Sequence, residues 1–148
     1  MKALIQRVSH ASVEIDGKVS GAIEKGLLVL LGITHEDGEK DIDWLVNKIT
    51  KLRVFTDQDG KMNLSVEDVG GDLLVVSQFT LHADTRKGTR PSYVKAARPE
   101  VAIPLYEQFL ERMRASFSGK VETGEFGAMM KVSLLNDGPV TIMLDTER

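Results

Sequence analysis

The chain has 148 residues, a length typical of one domain, and we expect a single domain over residues 1–148. It contains no cysteine, which excludes disulfides, thiolate metal sites and cysteine nucleophiles. With 22 acidic and 19 basic residues the net charge is −3, so any contact with nucleic acid should be local, and we expect no DNA partner. The longest apolar run, residues 27–31, is too short for a membrane span, and the first residues do not resemble a signal peptide. We therefore expect a cytoplasmic protein with no membrane partner.

The first third of the chain predicts strands joined by hairpins. Residues 2–9 and 11–15 each alternate between apolar and polar, which predicts two strands. The Asp-Gly pair at 16–17 is a hairpin turn signal, and a strand over 18–24 should follow it. Residues 27–33 are apolar apart from Gly32 and do not alternate, which is typical of a central strand buried on both faces.

Two helices and three further strands are predicted in the rest of the chain. A helix should begin at Asp41, because apolar residues recur at helical spacing, with acids early and lysines late. A second helix is predicted over 99–117, where Pro104 should kink or restart it. The remaining predicted strands are 72–79, about 129–135 and about 140–145.

This order of elements favours a mixed α/β fold. We expect a mostly antiparallel, curved sheet or partial barrel, with the two main helices on one face. A doubly wound nucleotide fold would alternate strands and helices more strictly. Neither G-x-G-x-x-G nor G-x-x-x-x-G-K-[ST] is present.

Patterns for metal sites and for common nucleophiles are weak. No two of the three histidines stand four residues apart, and the calcium-like stretch 56–61 has Asp68 where a bidentate glutamate is needed. We therefore expect no metal and no cofactor. Ser77 is outside a G-x-S-x-G elbow, and His82 would point away from it on an extended chain.

Three segments remain as candidate sites, each with a structural alternative. Residues 77–80 (Ser-Gln-Phe-Thr) follow an apolar strand, a position that often holds sites in α/β proteins, although an ST-turn fits equally. Residues 136–141 (Asn-Asp-Gly-Pro-Val-Thr) contain a Gly-Pro pair that could simply be a tight turn joining the last two strands, with either peptide isomer. Residues 126–130 could wall a pocket for an aromatic ligand or pack into the core.

A basic segment lies between these candidates. Its cations have one acidic neighbour, Asp84, and are either a solvated loop or a local nucleic-acid contact. They are Arg86, Lys87, Arg90, Lys95 and Arg98.

The segments 77–81 and 136–141 resemble the two signature motifs of the D-aminoacyl-tRNA deacylases. The similarity spans the chain and includes 1–15, 53–78, 87–93 and 124–130, with no departure in either motif. It implies the family's three-layer fold and a homodimer with active sites near the interface. It also implies hydrolysis of the ester of D-aminoacyl-tRNA, with release of the D-amino acid and tRNA. Glycyl-tRNA, formed when tRNA-Ala is mischarged with glycine, is a further expected substrate. Glycine has no side chain that a chiral site could exclude.

With the resemblance, roles can be assigned to four groups of residues. They are the catalytic segment Ser77, Gln78, Phe79 and Thr80, the chiral gate Asn136, Gly138, Pro139 and Thr141, the candidate tRNA contacts Arg86, Lys87 and Arg90, and the candidate adenosine pocket Phe126 and Met129. The Gly-Pro bond is implied to be cis and to reach the partner's site. The nucleophile is either Thr80 or a water activated by the RNA 2′-hydroxyl, and the sequence favours the second. The competing interpretations are a non-catalytic small-ligand-binding dimer and a Thr/Ser-dependent esterase.

Overall fold

The computed structural model describes residues 1–147 and contains eight strands, two α-helices and one 3₁₀ turn within them. The strands are β1 (Lys2–Ile15), β2 (Lys18–Ile23), β3 (Gly26–Gly32), β4 (Phe55–Thr56), β5 (Met62–Leu64), β6 (Asp72–Ser77), β7 (Val121–Thr123) and β8 (Lys131–Asp145). The helices are α1 (Glu39–Lys51) and α2 (Pro99–Ser116), and the 3₁₀ turn is Phe79–His82.

Six of the strands form one mixed sheet that curls until its ends approach each other. The strand order is β2–β1–β3–β6–β7, and β8 lies along the other edge of β1. The β1 pairings are antiparallel, whereas β3, β6 and β7 are parallel neighbours. The Ser20 hydroxyl donates to the Thr123 carbonyl at 3.1 Å, which links β2 to β7. The expected curved, mixed α/β fold with two helices is thus confirmed.

Each face of the sheet buries its own apolar cluster. The concave face encloses Val8, Ala11, Val13, Ile23, Leu28, Leu74 and Val76. The convex face packs against α1 and α2 in a larger cluster, to which β3 contributes Leu27, Val29 and Leu31. Because β3 is covered on both sides, its sequence is continuously apolar rather than alternating.

The parallel pair of β3 and β6 decides where a site can form. Their register runs from Gly26 opposite Asp72 to Leu31 opposite Ser77, so both strands end at the same edge. A Cβ at Gly26 would lie 1.9 Å from the Asp72 carbonyl oxygen, so the pairing requires glycine there. The carboxyl ends of parallel strands are common places for ligand sites.

Two pairs of predicted strands are each one strand in the structure. The predicted strands 2–9 and 11–15 are both part of β1, because shifts in register absorb the break in alternation near Ser9. The predicted strands 129–135 and 140–145 are both part of β8, and Gly138 and Pro139 lie inside it. The interpretation of the Gly-Pro pair as a turn between two strands is therefore wrong. Gln6 pairs with Thr141 and Val8 with Asn136, so two steps along β1 match five along β8 and the extra residues form a bulge.

Several boundaries also differ from the prediction. The strand predicted over 72–79 ends at Ser77, and the 3₁₀ turn follows, so the assumption of an extended chain up to His82 is wrong. The helix α2 runs through Pro104 as one element. The short strands β4, β5 and β7 were not predicted, since two or three residues carry too little periodicity.

The calcium-like stretch is a turn between β4 and β5. The Asp57 carboxylate accepts the backbone N–H groups of Asp59 at 2.9 Å and Lys61 at 3.0 Å, which closes the turn. Within residues 1–147 no cluster of histidine and acidic side chains is arranged to hold a metal ion. No helix in the same range is long and apolar enough to cross a membrane.

Candidate active site

A cavity of about 340 Å³ opens where β3 and β6 end. Its residues come from the strand ends, from the start of α2 and from the segment before β8. They are Leu31, Ile33, Val76, Ser77, Gln78, Phe79, Ala97, Ala102, Phe126, Gly127, Ala128, Met129, Met130 and Val132. Its size and mostly apolar lining with a few polar groups are typical of a small-ligand site.

The 3₁₀ turn begins at Phe79, which lines this cavity. The Gln78 N–H donates to the Leu31 carbonyl at 2.7 Å, which anchors the start of the turn to β3. The first hydrogen bond of the turn runs from the Leu81 N–H to the Gln78 carbonyl at 3.2 Å. The N–H groups of Phe79 and Thr80 precede that bond, so the turn itself offers them no acceptor.

Thr80 is tied to Gln78 rather than to a base. The Gln78 side-chain nitrogen donates to the Thr80 hydroxyl oxygen at 2.5 Å. An amide N–H cannot accept a proton, so this contact orients the hydroxyl without activating it. Ser77 and Gln78 line the cavity, whereas Thr80 does not.

Phe126 and Met129 form part of the opposite wall of the cavity. The Phe126 ring packs against Tyr106 with 5.6 Å between centroids, so it belongs to both the core and the cavity. The Met129 side chain is 91% exposed, and the alternative of a core position is wrong for this residue.

The Gly138–Pro139 segment is an exposed bulge held from below by side chains. Its peptide bond is cis. The Asn136 amide donates to the carbonyls of Arg7 at 2.9 Å and Val140 at 3.1 Å, and so bridges the bulge to β1. Thr141 accepts the Gln6 amide at 3.2 Å, just beyond the bulge.

Arg7 is a structural support of this bulge that the sequence reasoning missed. Its guanidinium donates to the carbonyls of Asp137 and Val54, each at 2.7 Å. The side chain is only 11% exposed. One feature of the sequence could have indicated this role. Arg7 continues the alternating positions Ala3 and Ile5 along β1, where an apolar residue would be expected.

A single chain does not bring the two motif segments together. None of the residues 136–141 lines the cavity that contains Ser77, Gln78 and Phe79. Thr141 on β8 pairs with Gln6 on β1, and the two strands β1 and β3 lie between Thr141 and Ser77, which ends β6. The gate residues instead face outward, since Gly138 and Pro139 are both exposed.

The basic segment is an exposed loop next to the 3₁₀ turn. Arg86 forms a bidentate contact with Asp84, with the shortest distance 2.6 Å, and the hydrogen bonds that it donates hold the pKa of that carboxyl well below the usual value. Lys87 and Arg90 are exposed, and no ion pair involves either of them within the described chain. Lys87 and Arg90 are therefore better candidates than Arg86 for the nucleic-acid contact expected from the sequence.

His82, at the end of the 3₁₀ turn, is 7% exposed, and its Nε2 has no hydrogen-bond partner among residues 1–147. Burial lowers the pKa of His82 and nearby Lys2 adds to the effect. His82 therefore binds a proton more readily in the unfolded chain than in the folded chain. The free energy of unfolding should consequently decrease as the pH falls below about 6.5.

We expect the His82→Phe variant to lose this pH dependence of the free energy of unfolding between about pH 6.5 and pH 5, measured by urea titration. The variant His10→Gln, at an exposed histidine, should keep it. An unchanged slope in His82→Phe would contradict the assignment.

Comparison with known proteins identifies the family of this chain. The family described as "D-Tyr-tRNA(Tyr) deacylase" matches residues 4–145. A protein named D-aminoacyl-tRNA deacylase from Akkermansia muciniphila is 59% identical over 148 residues, covering 100% of this chain and 99% of the relative. Its namesake from Bacteroides fragilis (strain YCH46) is 58% identical over 147 residues, covering 99% of this chain and 98% of the relative. The chain belongs to the D-aminoacyl-tRNA deacylase family.

Solved structures share the fold of this chain. A protein described as a c-Myc DNA unwinding element binding protein superposes with a TM-score of 0.95 at 44% identity, with 100% of both chains covered. A probable eukaryotic D-amino acid tRNA deacylase superposes with a TM-score of 0.81 at 16% identity, with 97% of each chain covered, and supports the fold alone. The family expected from the two motifs is therefore confirmed, and with it the deacylase fold.

Proposed function

We propose that the chain hydrolyses the ester between a D-amino acid and the 3′-terminal adenosine of tRNA. The observation that carries the proposal is the cavity at the ends of β3 and β6, where the motif residues Ser77, Gln78 and Phe79 meet. Purified protein should deacylate D-tyrosyl-tRNA and leave L-tyrosyl-tRNA intact. A protein that binds aminoacyl-tRNA without cleaving either would be the non-catalytic binding dimer instead.

The backbone N–H groups of Phe79 and Thr80 hold the ester carbonyl in this proposal. Their freedom from acceptors within the 3₁₀ turn supports the role, because an oxyanion needs donors that are already in position. Loss of one such donor typically slows a reaction by roughly 10²–10³-fold. Ser77 and Gln78 orient the turn and the substrate.

The attacking water is activated by the 2′-hydroxyl of the terminal adenosine. The contact between Thr80 and an amide donor supports this route over a threonine nucleophile. A Thr/Ser-dependent esterase would also cleave esters that lack a 2′-hydroxyl, whereas the RNA-assisted enzyme would not.

The protein acts as a homodimer in which Gly138 and Pro139 of one copy reach the cavity of the other. Two observations support this arrangement. The bulge is exposed, and it lies on β8 beside β1, whereas the cavity of its own chain opens at the ends of β3 and β6. Within the described chain, strand β8 also pairs along one edge only, and it has two exposed apolar side chains, Leu135 at 54% and Met143 at 47%.

The gate excludes L-amino acids because backbone lies against the substrate α-carbon. An L side chain would collide with this backbone, whereas a D side chain would point away from it. Glycine has no side chain that could collide. Glycyl-tRNA, including tRNA-Ala mischarged with glycine, should therefore also be hydrolysed. Asn136 and Thr141 support the bulge from either side.

Phe126 and Met129 flank the terminal adenosine. An aromatic face and a flexible exposed thioether provide apolar contact for a purine base.

Lys87 and Arg90 contact phosphates of the acceptor end, and Arg86 contributes less because Asp84 neutralises it. Binding of tRNA should weaken with salt at a log–log slope of about −0.7 to −0.9 per contact. Lys87→Ala and Arg90→Ala should each reduce the slope by about one contact, measured by fluorescence anisotropy across salt concentrations. Exposed Lys18→Ala on β2 is the matched control and should change nothing. A salt-independent affinity would contradict these contacts, and a duplex DNA competitor should not displace the tRNA.

A further inference from the structure

An exposed pair of aromatic rings stands at the mouth of the cavity. The rings of Phe79 and Tyr93 meet nearly edge to face, with 5.1 Å between centroids and 73° between planes. Their exposed fractions are 54% and 41%, unusually high for such large apolar groups. Phe79 also lines the cavity, so this pair, which we call the aromatic platform, is continuous with the proposed catalytic site.

Hydrogen bonds on both sides of Tyr93 fix its position. Ser92 and Asp84 exchange backbone bonds of 2.9 and 2.8 Å just before it. After it, the Ala96 N–H donates to the Tyr93 carbonyl at 3.0 Å, and the Ala97 N–H donates to the Ile33 carbonyl at 2.9 Å. Because the backbone is already ordered and the ring already packs against Phe79, less entropy is lost when a ligand stacks on it, which favours binding.

The surroundings of the platform match a nucleic-acid strand. The exposed cations Lys87, Arg90 and Lys95 belong to the same segment as Tyr93. Aromatic faces beside cations are the usual combination for single-stranded nucleic acid, because every base has a face that stacks while the cations follow the backbone. The 3′ end of tRNA is single-stranded, and its terminal nucleoside would occupy the cavity itself.

We propose that the aromatic platform stacks the base of the nucleotide immediately before the terminal adenosine. This inference rests on the proposed function, since it presupposes that the adenosine and its ester enter the cavity. Tyr93 is then a binding residue outside the cavity, and it selects substrates that carry a preceding nucleotide over an isolated aminoacyl nucleoside.

The test compares two substrates that differ only in the preceding nucleotides. With a D-aminoacyl trinucleotide, Tyr93→Ala should raise KM by roughly five- to 150-fold with little change in kcat. With D-aminoacyl-adenosine, KM and kcat should both remain as in the wild type, which also shows that the variant folds. Tyr93→Phe keeps the ring and should behave like the wild type with both substrates.

Binding of the uncharged trinucleotide, followed by anisotropy, provides a readout that does not depend on catalysis. Its affinity should decrease by the same factor in Tyr93→Ala. An inactive wild type would contradict the proposed function, whereas an active wild type with an unaffected Tyr93→Ala would contradict the platform. An equal loss with D-aminoacyl-adenosine would also overturn it, because Tyr93 would then serve the terminal nucleoside. A change of oligomeric state in Tyr93→Ala would overturn it as well, since a second copy of the chain would then cover the rings.

Discussion

A D-aminoacyl-tRNA whose terminal adenosine lacks the 2′-hydroxyl should be hydrolysed roughly 10²–10⁴-fold more slowly than the matched ribose substrate. This is the usual contribution of a positioned group that moves a proton in the transition state. Thr80 does not replace that group in the described structure, because the partner of its hydroxyl is an amide donor. His82 follows two residues later, but it is buried and does not line the cavity.

Thr80→Ala is the matched control for this prediction. If the 2′-hydroxyl activates the water, the variant should keep its rate within about tenfold, because the Thr80 backbone N–H remains as an oxyanion donor. Single-turnover rates with both substrates and both proteins would separate the routes. Loss of several orders of magnitude in a folded Thr80→Ala, together with normal cleavage of the deoxy substrate, would restore Thr80 as the nucleophile.

Discrimination among D-alanyl-, glycyl- and L-alanyl-tRNA should also be large. The wild type should cleave D-alanyl- and glycyl-tRNA. It should hydrolyse L-alanyl-tRNA roughly 10- to 200-fold more slowly or slower still, since one misplaced methyl group usually has an effect of this size. Robust turnover of L-alanyl-tRNA, with none of the D-alanyl or glycyl substrates, would rule out the gate. These three substrates differ only at the α-carbon, so tRNA contacts cancel in the comparison.

Gly138→Ala tests which residues form the gate. A Cβ at this position would lie 2.5 Å from the Asn136 side-chain oxygen and 2.8 Å from the Val140 nitrogen. Asn136 is itself bonded to Arg7 and Val140, so the bulge must move. We expect the ratio of kcat/KM for D-alanyl- over L-alanyl-tRNA to decrease at least about tenfold, since small displacements at a reacting centre have large effects on rate.

Gly38→Ala is the comparison variant for the gate. The residue precedes α1 with an extended φ of −153°, and a Cβ there would meet nothing within 4 Å. Its D-to-L ratio should equal that of the wild type. An unchanged ratio in Gly138→Ala would mean that the bulge does not set the chirality of the substrate.

Local patterns in the sequence predicted the elements that one stretch of chain determines by itself. The apolar run 27–33 indicated a doubly covered strand, and β3 is one. The helical spacing after Asp41 indicated α1, which begins two residues earlier at Glu39. Such patterns arise because burial repeats with the period of the element.

Patterns failed where a neighbouring strand decides the outcome. The break near Ser9 and the Gly-Pro pair both predicted strand ends, yet each lies inside a long strand. Pairing with β8 carries β1 through its break, and the side chains of Arg7 and Asn136 hold the bulge in β8. These contacts join residues more than 120 positions apart, which no local window can detect.

The sequence alone determined the family, the class of fold and the two motifs, because these depend on residue identity and local periodicity. Tertiary structure alone decided that β3 and β6 end together, so that Ser77 and Gln78 meet Phe126 across one cavity. It also decided that the Gly138–Pro139 bulge faces outward, away from the cavity of its own chain. The physical reason is that strand register, set by pairing between distant segments, determines which residues share an edge or a face.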